Sequence, residues 1–129
     1  MKTEKQLTGT IGETLTCRYL QENGYQIIAR NYRSIYGEID IIAQKDGTTA
    51  FVEVKTRQSD PKIRPCFDVT KAKQKKIMRT AYLYLQENHL KTYVRFDISE
   101  VYLTHRTRTL HHIHYIRNAF SRENAYESF

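Results

Sequence analysis

The chain predicts an α/β protein, a mixed central β-sheet flanked by helices, built as a single domain over residues 1–120. Three observations carry that prediction. Two segments repeat apolar residues at helical spacing, near residues 7–23 and 71–88. Between them, Ile39–Ala43 and Ala50–Val54 are rich in β-branched and aromatic residues and are joined by Lys45-Asp46-Gly47-Thr48, a hairpin signal. A further alternating run, Tyr93-Val94-Arg95-Phe96-Asp97-Ile98, follows the second helical segment.

The elements read in order as follows. A first helix is expected from Leu7 to Asn23, with Gly24 as its C-terminal cap. Within it Glu13, Cys17 and Leu20 fall on one face, beside an Ile11/Leu15 stripe, so Glu13 sits at the edge of the buried surface. There it is either an ordinary boundary glutamate or a third carboxylate aimed at the hairpin. Tyr25 to Arg33 reads as a strand, and the hairpin strands lie near 37–44 and 49–56. The stretch from Gln58 to Asp68 holds Pro61 and Pro65 and reads as the longest loop, placed where it can grip a substrate. Thr70 caps a second helix whose core stripe is Ile77, Ala81 and Leu85. Strands are expected over Thr92–Leu103 and Leu110–Ile116, and residues 121–129 form a polar tail expected to fray.

The hairpin places charges where charges are costly. Asp-Gly favours a type I′ turn, because both central residues take positive φ. Such a turn pairs Lys45 with Thr48 and, further along the ladder, Asp40 with Glu53 and Glu38 with Lys55. Directly opposed side chains lie about 4.5–5.5 Å apart, and like charges there are destabilising. Asp40 opposite Glu53 therefore needs a counter-charge. Lys55 supplies part of it, and a hard divalent cation held by oxygen ligands would supply the rest. The plainer reading is that Glu-x-Lys is a common tripeptide and that acidic strand residues usually face solvent; a longer loop or a bulge would also change the pairing.

A net charge of +7 and a pI near 9.5 point to a polyanionic partner. The charge is uneven, with seven basic residues against the single acid Asp68 between residues 62 and 79. Such a segment binds phosphates in a salt-sensitive way; the alternative is a solvated lysine-rich helix start. No apolar run approaches the length of a membrane span, the N-terminal residues do not read as a signal peptide, and no membrane association is expected. Cys17 and Cys66 read as reduced thiols of a cytoplasmic protein. His111, His112 and His114 read as solvent-facing residues on an edge strand, and Asp97 as a structural ion-pair member. The ten tyrosines form no recognisable aromatic platform. Glycine-rich phosphate loops and Gly-x-Ser-x-Gly nucleophile turns are absent from the sequence.

The order helix–strand–hairpin–helix–strand, with Glu13, Asp40 and Glu53-x-Lys55 in place, resembles the PD-(D/E)xK, or restriction-endonuclease-like, superfamily with its αβββαβ core. More narrowly, the chain is similar to the bacterial YraN family. The matching residues are Gly9-x-x-Gly12-Glu13, Arg30-Asn31-Tyr32-Arg33, Gly37-Glu38-Ile39-Asp40, Phe51-Val52-Glu53-Val54-Lys55, Lys73-Gln74 and Arg95-Phe96-Asp97. Thr16 stands where that family often has Ala.

The resemblance implies a metal-dependent endonuclease or exonuclease acting on DNA. Glu13, Asp40, Glu53 and Lys55 would be its catalytic residues. Asp40, Glu53 and Glu13 would hold one or two Mg²⁺ or Mn²⁺ ions, joined by the Val54 carbonyl. Lys55 would orient water or offset charge on the phosphate. Arg33, Arg57, Lys71, Lys73, Gln74 and Lys76 would hold the nucleic-acid backbone, which selects structure more than sequence. Branched or damaged DNA and a homodimer are expectations from the likeness to archaeal Holliday-junction resolvases, and nothing in the residues requires either. A second reading stays open: a nucleic-acid-binding module on this fold whose catalysis is weak, absent or dependent on a partner.

Overall fold

The computed structural model describes residues 1–58, 69–104 and 107–121. Their order is α1 (Glu4–Glu22), β1 (Gln26–Arg33), β2 (Glu38–Lys45), β3 (Thr48–Gln58), α2 (Lys71–Glu87), β4 (Tyr93–Leu103) and β5 (Leu110–Phe120). The strands form one sheet in sequence order. β1, β2 and β3 are antiparallel neighbours, β4 joins β3 in parallel through the α2 crossover, and β5 returns antiparallel at the edge. The expected mixed α/β architecture is the one observed, helix, three strands, helix and strand, with β5 added at the edge. The predicted 58–68 loop, apart from Gln58, and the predicted tail beyond Ser121 lie outside the described residues, as does Cys66.

The turn between β2 and β3 forms as its dipeptide demands. Asp46 and Gly47 take φ of 49° and 76°, and the ladder runs from Lys45/Thr48 to Ile41/Val52 in the expected register. Two element ends differ from the sequence reading. α1 begins at Glu4 because Thr3 and Gln6 form a reciprocal capping box ahead of the first apolar residue. β5 runs on to Phe120, whose ring stacks on Phe96 with centroids 5.3 Å apart.

The helices cover opposite faces of the sheet. Cys17 and Leu20 of α1 pack on Ile41, Ala43, Ala50 and Val52. Ile77, Met78, Ala81 and Tyr84 of α2 pack on Ile39, Ile42, Phe51, Phe96 and Ile98. Each large side chain so enclosed contributes about 1.5–3 kcal/mol. α1 can lie close to β3 because residue 12 is glycine. A Cβ there would stand 1.8 Å from Thr56 Oγ1 and 2.9 Å from Thr56 Cβ. One turn on, the buried Thr16 hydroxyl bonds the Gly12 carbonyl at 2.9 Å and Ser99 Oγ at 2.8 Å, so this polar residue is satisfied on the sheet.

Candidate metal centre and nucleic-acid interface

The ladder between β2 and β3 is regular as far as Ile41/Val52, and the next pair in register would be Asp40/Glu53. There the two strands part. β2 stays with β1 to Arg33/Glu38, while β3 stays with β4 to Gln58/Leu103. Strict alternation would put Ile39 with Ile41 and Ala43, yet Ile39 belongs to the α2-side core with Ile42. The alternation therefore breaks at Asp40. Its carboxylate turns into the fork and accepts a 2.8 Å hydrogen bond from the Val54 amide, which has no β2 carbonyl opposite it in the ladder.

This arrangement crowds charge. Burial and the charge of Glu53 push the Asp40 carboxyl up to about 7, against the Val54 hydrogen bond, with smaller contributions from Glu13 and Glu38. Glu53 is buried at 5% exposure and is flanked by two ammonium groups, Lys73 Nζ at 2.8 Å and Lys55 Nζ at 3.6 Å from the same Oε1. Burial and the neighbouring Lys73 lower the pKa of Lys55, whereas Lys73 is raised, its own burial being outweighed by its bond to Glu53. Glu13 lies 3.7 Å from Arg30, and burial raises its pKa.

Asp40 and Glu53 line two clefts, one on each side of the fork. On the α1 side a cleft of about 580 Å³ is completed by the first turns of α1, Glu13, Lys55, Arg57 and Gln58. On the α2 side one of about 450 Å³ is completed by Gly37, Glu38, Thr70, Lys73 and Lys76. The predicted site residues thus fall into groups. Glu13, Asp40, Glu53 and Lys55 share the first cleft, and Asp40, Glu53, Lys73 and Lys76 the second. Among the described residues no three His, Cys, Asp or Glu side chains form a ready-made metal cluster. The closest carboxylate neighbour of Asp40 in electrostatic terms is Glu53, ahead of Glu13.

Of the residues expected to bind nucleic acid, Lys71 and Lys76 are exposed on the first turns of α2. Arg33 is largely exposed and pairs with Glu38 at 3.2 Å, so Glu38 has an ion-pair partner on β1. Arg57 bonds the Thr56 carbonyl, and Gln74 donates to the Val69 carbonyl at 3.2 Å. Lys73 is the surprise, because it reaches the carboxylates themselves. Only its position two residues after the first residue of α2 hinted at a fixed orientation, and its partner lies across the crossover. The histidines are edge-strand residues as expected. His114 Nδ1 lies 2.7 Å from the buried Glu100, and His112 stacks on Tyr102.

Fold and site together define a small α/β protein that holds an acidic pair at a strand fork under a basic helix. The model of the uncharacterised protein family UPF0102 covers residues 12–101, the span holding Glu13, Asp40, Glu53, Lys55 and Lys73. The chain belongs to that family, the YraN-like group its motifs resemble. A UPF0102 protein of Caldanaerobacter subterraneus subsp. tengcongensis is 41% identical over 120 residues, 92% of this chain and 98% of the relative. Others are 44% identical over 113 residues in Alkaliphilus metalliredigens, covering 87% and 96%, and 42% identical over 113 residues in Clostridium acetobutylicum, covering 87% and 92%. No helix among the described residues is long and apolar enough to cross a membrane.

Proposed function

We propose that this protein is a divalent-metal-dependent nuclease of the PD-(D/E)xK superfamily, hydrolysing phosphodiester bonds in DNA with preference for structure over sequence. The observation that carries this reading is Asp40 and Glu53 converging at the fork with Lys55 beside them. A carboxyl pushed up to about 7 by burial and by a neighbouring carboxylate is a group that gains from a cation. The donor set fits Mg²⁺ or Mn²⁺: two carboxylates and the Val54 carbonyl are hard oxygen ligands, with Glu13 within reach of the same cleft. When bound, the ion would polarise the scissile phosphate and ease deprotonation of the attacking water.

The chain's own groups do the rest. Asp40 and Glu53 are the residues that would hold the ion. Lys55 is lowered by burial and by Lys73, which suits it to hydrogen-bond the attacking water and to offset charge on the phosphate oxygens. Water attacks phosphorus and gives up a proton to solvent, the bond to the leaving sugar oxygen breaks, and that oxygen takes up a proton from solvent to leave as the alcohol. Lys71 and Lys76 on α2 and Arg57 on β3 steady the backbone on either side of the fork.

A second reading has an observation of its own. Lys73 pairs with Glu53 at 2.8 Å, so an ammonium already stands where an ion would draw charge. A nucleic-acid-binding module with weak or partner-dependent catalysis would use that arrangement. Cleavage of linear, single-stranded and four-way-junction DNA with Mg²⁺ or Mn²⁺ separates the two. The nuclease reading expects cutting by the parent protein and none by Asp40→Asn or Lys55→Ala. Binding without cutting on every substrate favours the module, and cutting that survives both substitutions removes the site assignment.

A further inference from the structure

A pocket of about 280 Å³ opens at the other end of α1, lined by Tyr19, Tyr25 and Tyr115 and by Lys45, Arg95 and Arg117, among others. Its residues come from α1, the α1–β1 turn, the β2–β3 hairpin, β4 and β5, so no local pattern in the chain announces it. Its cations are held in place. Arg95 Nε donates to both oxygens of Asp97 at 2.9 and 3.1 Å, and Nη2 donates to Asp97 at 2.9 Å and to the Tyr25 hydroxyl. Asp97 is fully buried and also accepts from the Tyr115 hydroxyl at 2.6 Å and the Asn118 amide at 2.9 Å. The guanidinium is thereby oriented before any ligand arrives, and its Nη1 makes no hydrogen bond among the described residues. Lys45 is tied to the Asn23 carbonyl at 2.6 Å and lies over the Tyr25 ring, 5.5 Å from its centroid. Tyr19 and Tyr115 pack against each other with centroids 5.3 Å apart, and Arg117 is exposed on the edge strand.

A network of this kind fastens β4 to β5 and to the turn before β1, and that alone would account for Asp97. It does not account for Lys45 and Arg117 joining Arg95 around one concavity walled by aromatic rings. Guanidinium forks and ammonium groups pair with phosphate oxygens, and aromatic rings accept the flat face of a base. The cavity has room for about one nucleotide and is too small for a duplex.

The pocket and the α1-side cleft share α1, whose N-terminal turns line the cleft and whose C-terminal turns line the pocket. Along β2, Lys45 stands five residues from Asp40, or about 17 Å at strand rise. A strand stacked at the duplex rise of about 3.4 Å would cover that distance in about five steps, and an extended single strand in fewer.

We propose that this tyrosine–arginine pocket is a second nucleic-acid contact, taking one phosphate and its adjoining nucleotide from a strand whose scissile bond lies at the Asp40/Glu53 fork. It rests on the nucleic-acid reading above and adds to it a fixed spacing between grip and cut.

The test is binding of a ladder of fluorescently labelled single-stranded oligonucleotides to the full chain in EDTA, where no hydrolysis occurs. Affinity is expected to climb with length until the strand reaches from pocket to fork, at no more than about six nucleotides, and then to level off. Arg117→Ala and Lys45→Gln are each expected to weaken the long oligonucleotides roughly tenfold and to reduce the salt slope by about one, while Lys91→Gln, a charge change outside the pocket, leaves binding as it was. Thermal melting confirms that each variant folds; the exposed Arg117 keeps the test decisive should Lys45→Gln fail. Oligonucleotide binding unaltered in both variants overturns the pocket and leaves the nuclease reading standing. Weakened binding in a protein that cuts nothing upholds the pocket and removes the nuclease reading. A mononucleotide that competes as well as the longest oligonucleotide overturns the strand assignment in favour of a free nucleotide, and a parent protein that binds neither overturns it outright.

Discussion

Lys73 Nζ and Glu53 Oε1 stand 2.8 Å apart, joining the first turn of α2 to the middle of β3 at the point where the acidic pair converges. The contact neutralises Glu53 in the absence of any ion and occupies an oxygen that an ion would use. Replacing Lys73 by Met should therefore tighten Mn²⁺ binding. Lys73 is partly exposed, at 40% of its side chain, so the competing ion pair is worth about 1 kcal/mol and the gain should be roughly fivefold. Isothermal titration of parent and Lys73→Met with Mn²⁺ measures it, and weaker binding in the variant would mean that Lys73 supports the site instead of competing for it.

Asp40 gives the stability of the metal-free protein a definite pH dependence. Its folded carboxyl titrates near 7, well above its ordinary range, so between about pH 4 and 7 the folded state holds a proton that the unfolded chain has lost. Stability must fall as pH rises through that window, and the full penalty is present above it. Asp40→Asn removes the penalty. It should raise the melting temperature by several degrees at pH 8, reflecting at most about 4 kcal/mol, and lose that advantage below about pH 4. Equal melting shifts at both ends would show that Asp40 is not held protonated.

The same proton must leave when a cation binds. Affinity for Mn²⁺ should rise about tenfold per pH unit below 7 and level off above it. Calorimetry in buffers of different ionisation heat would detect the released proton. A flat profile across pH 5.5 to about 8 would separate Asp40 from the ligand set.

The register of the β2–β3 hairpin was legible because its cause is local. An Asp-Gly tip with two left-handed residues admits few alternatives, and the alternation of the flanking strands agrees with it. The fork was not legible, because it depends on β2 following β1 and β3 following β4, which are pairings between distant segments. The same cause hid Lys73 at Glu53. It also hid the three tyrosines around Arg95, since α1, the turn after it, β4 and β5 must be assembled before those rings share a wall. The early start of α1 was missed for another reason. Its first turn carries no apolar periodicity, and only the Thr3–Gln6 capping pair marks it.

Gly12 should resist replacement although it lies within a helix. Ala there would gain about 1 kcal/mol of helix propensity. The new methyl group would meet Thr56 Oγ1 at 1.8 Å and Cβ at 2.9 Å, an overpacking that costs about 1–3 kcal/mol and moves α1 off β3. Gly12→Ala should lower the melting temperature, and pairing it with Thr56→Ala should recover much of the loss. A variant that melts higher than the parent would show that the helix is not held at that distance.

Asp97→Asn should be the most damaging of these changes. It leaves the largely buried Arg95 without its counter-charge and removes one of the two oxygens that accept from Tyr115 and Asn118. A loss of about 3–5 kcal/mol is expected by urea denaturation. A loss below about 1 kcal/mol would mean that solvent reaches the network.

The acidic pair belongs to a single hairpin, with only the Asp-Gly turn and a few ladder residues between Asp40 and Glu53. Contacts so close in sequence form early and at low entropic cost. By that rule the hairpin that brings Asp40 to Glu53 would close before β4 is added and before α2 delivers Lys73. During synthesis the two carboxylates would meet while the chain is still short, with Lys55 as the nearest cation in sequence. On the nuclease reading, a divalent ion present at that stage would also template the nascent hairpin.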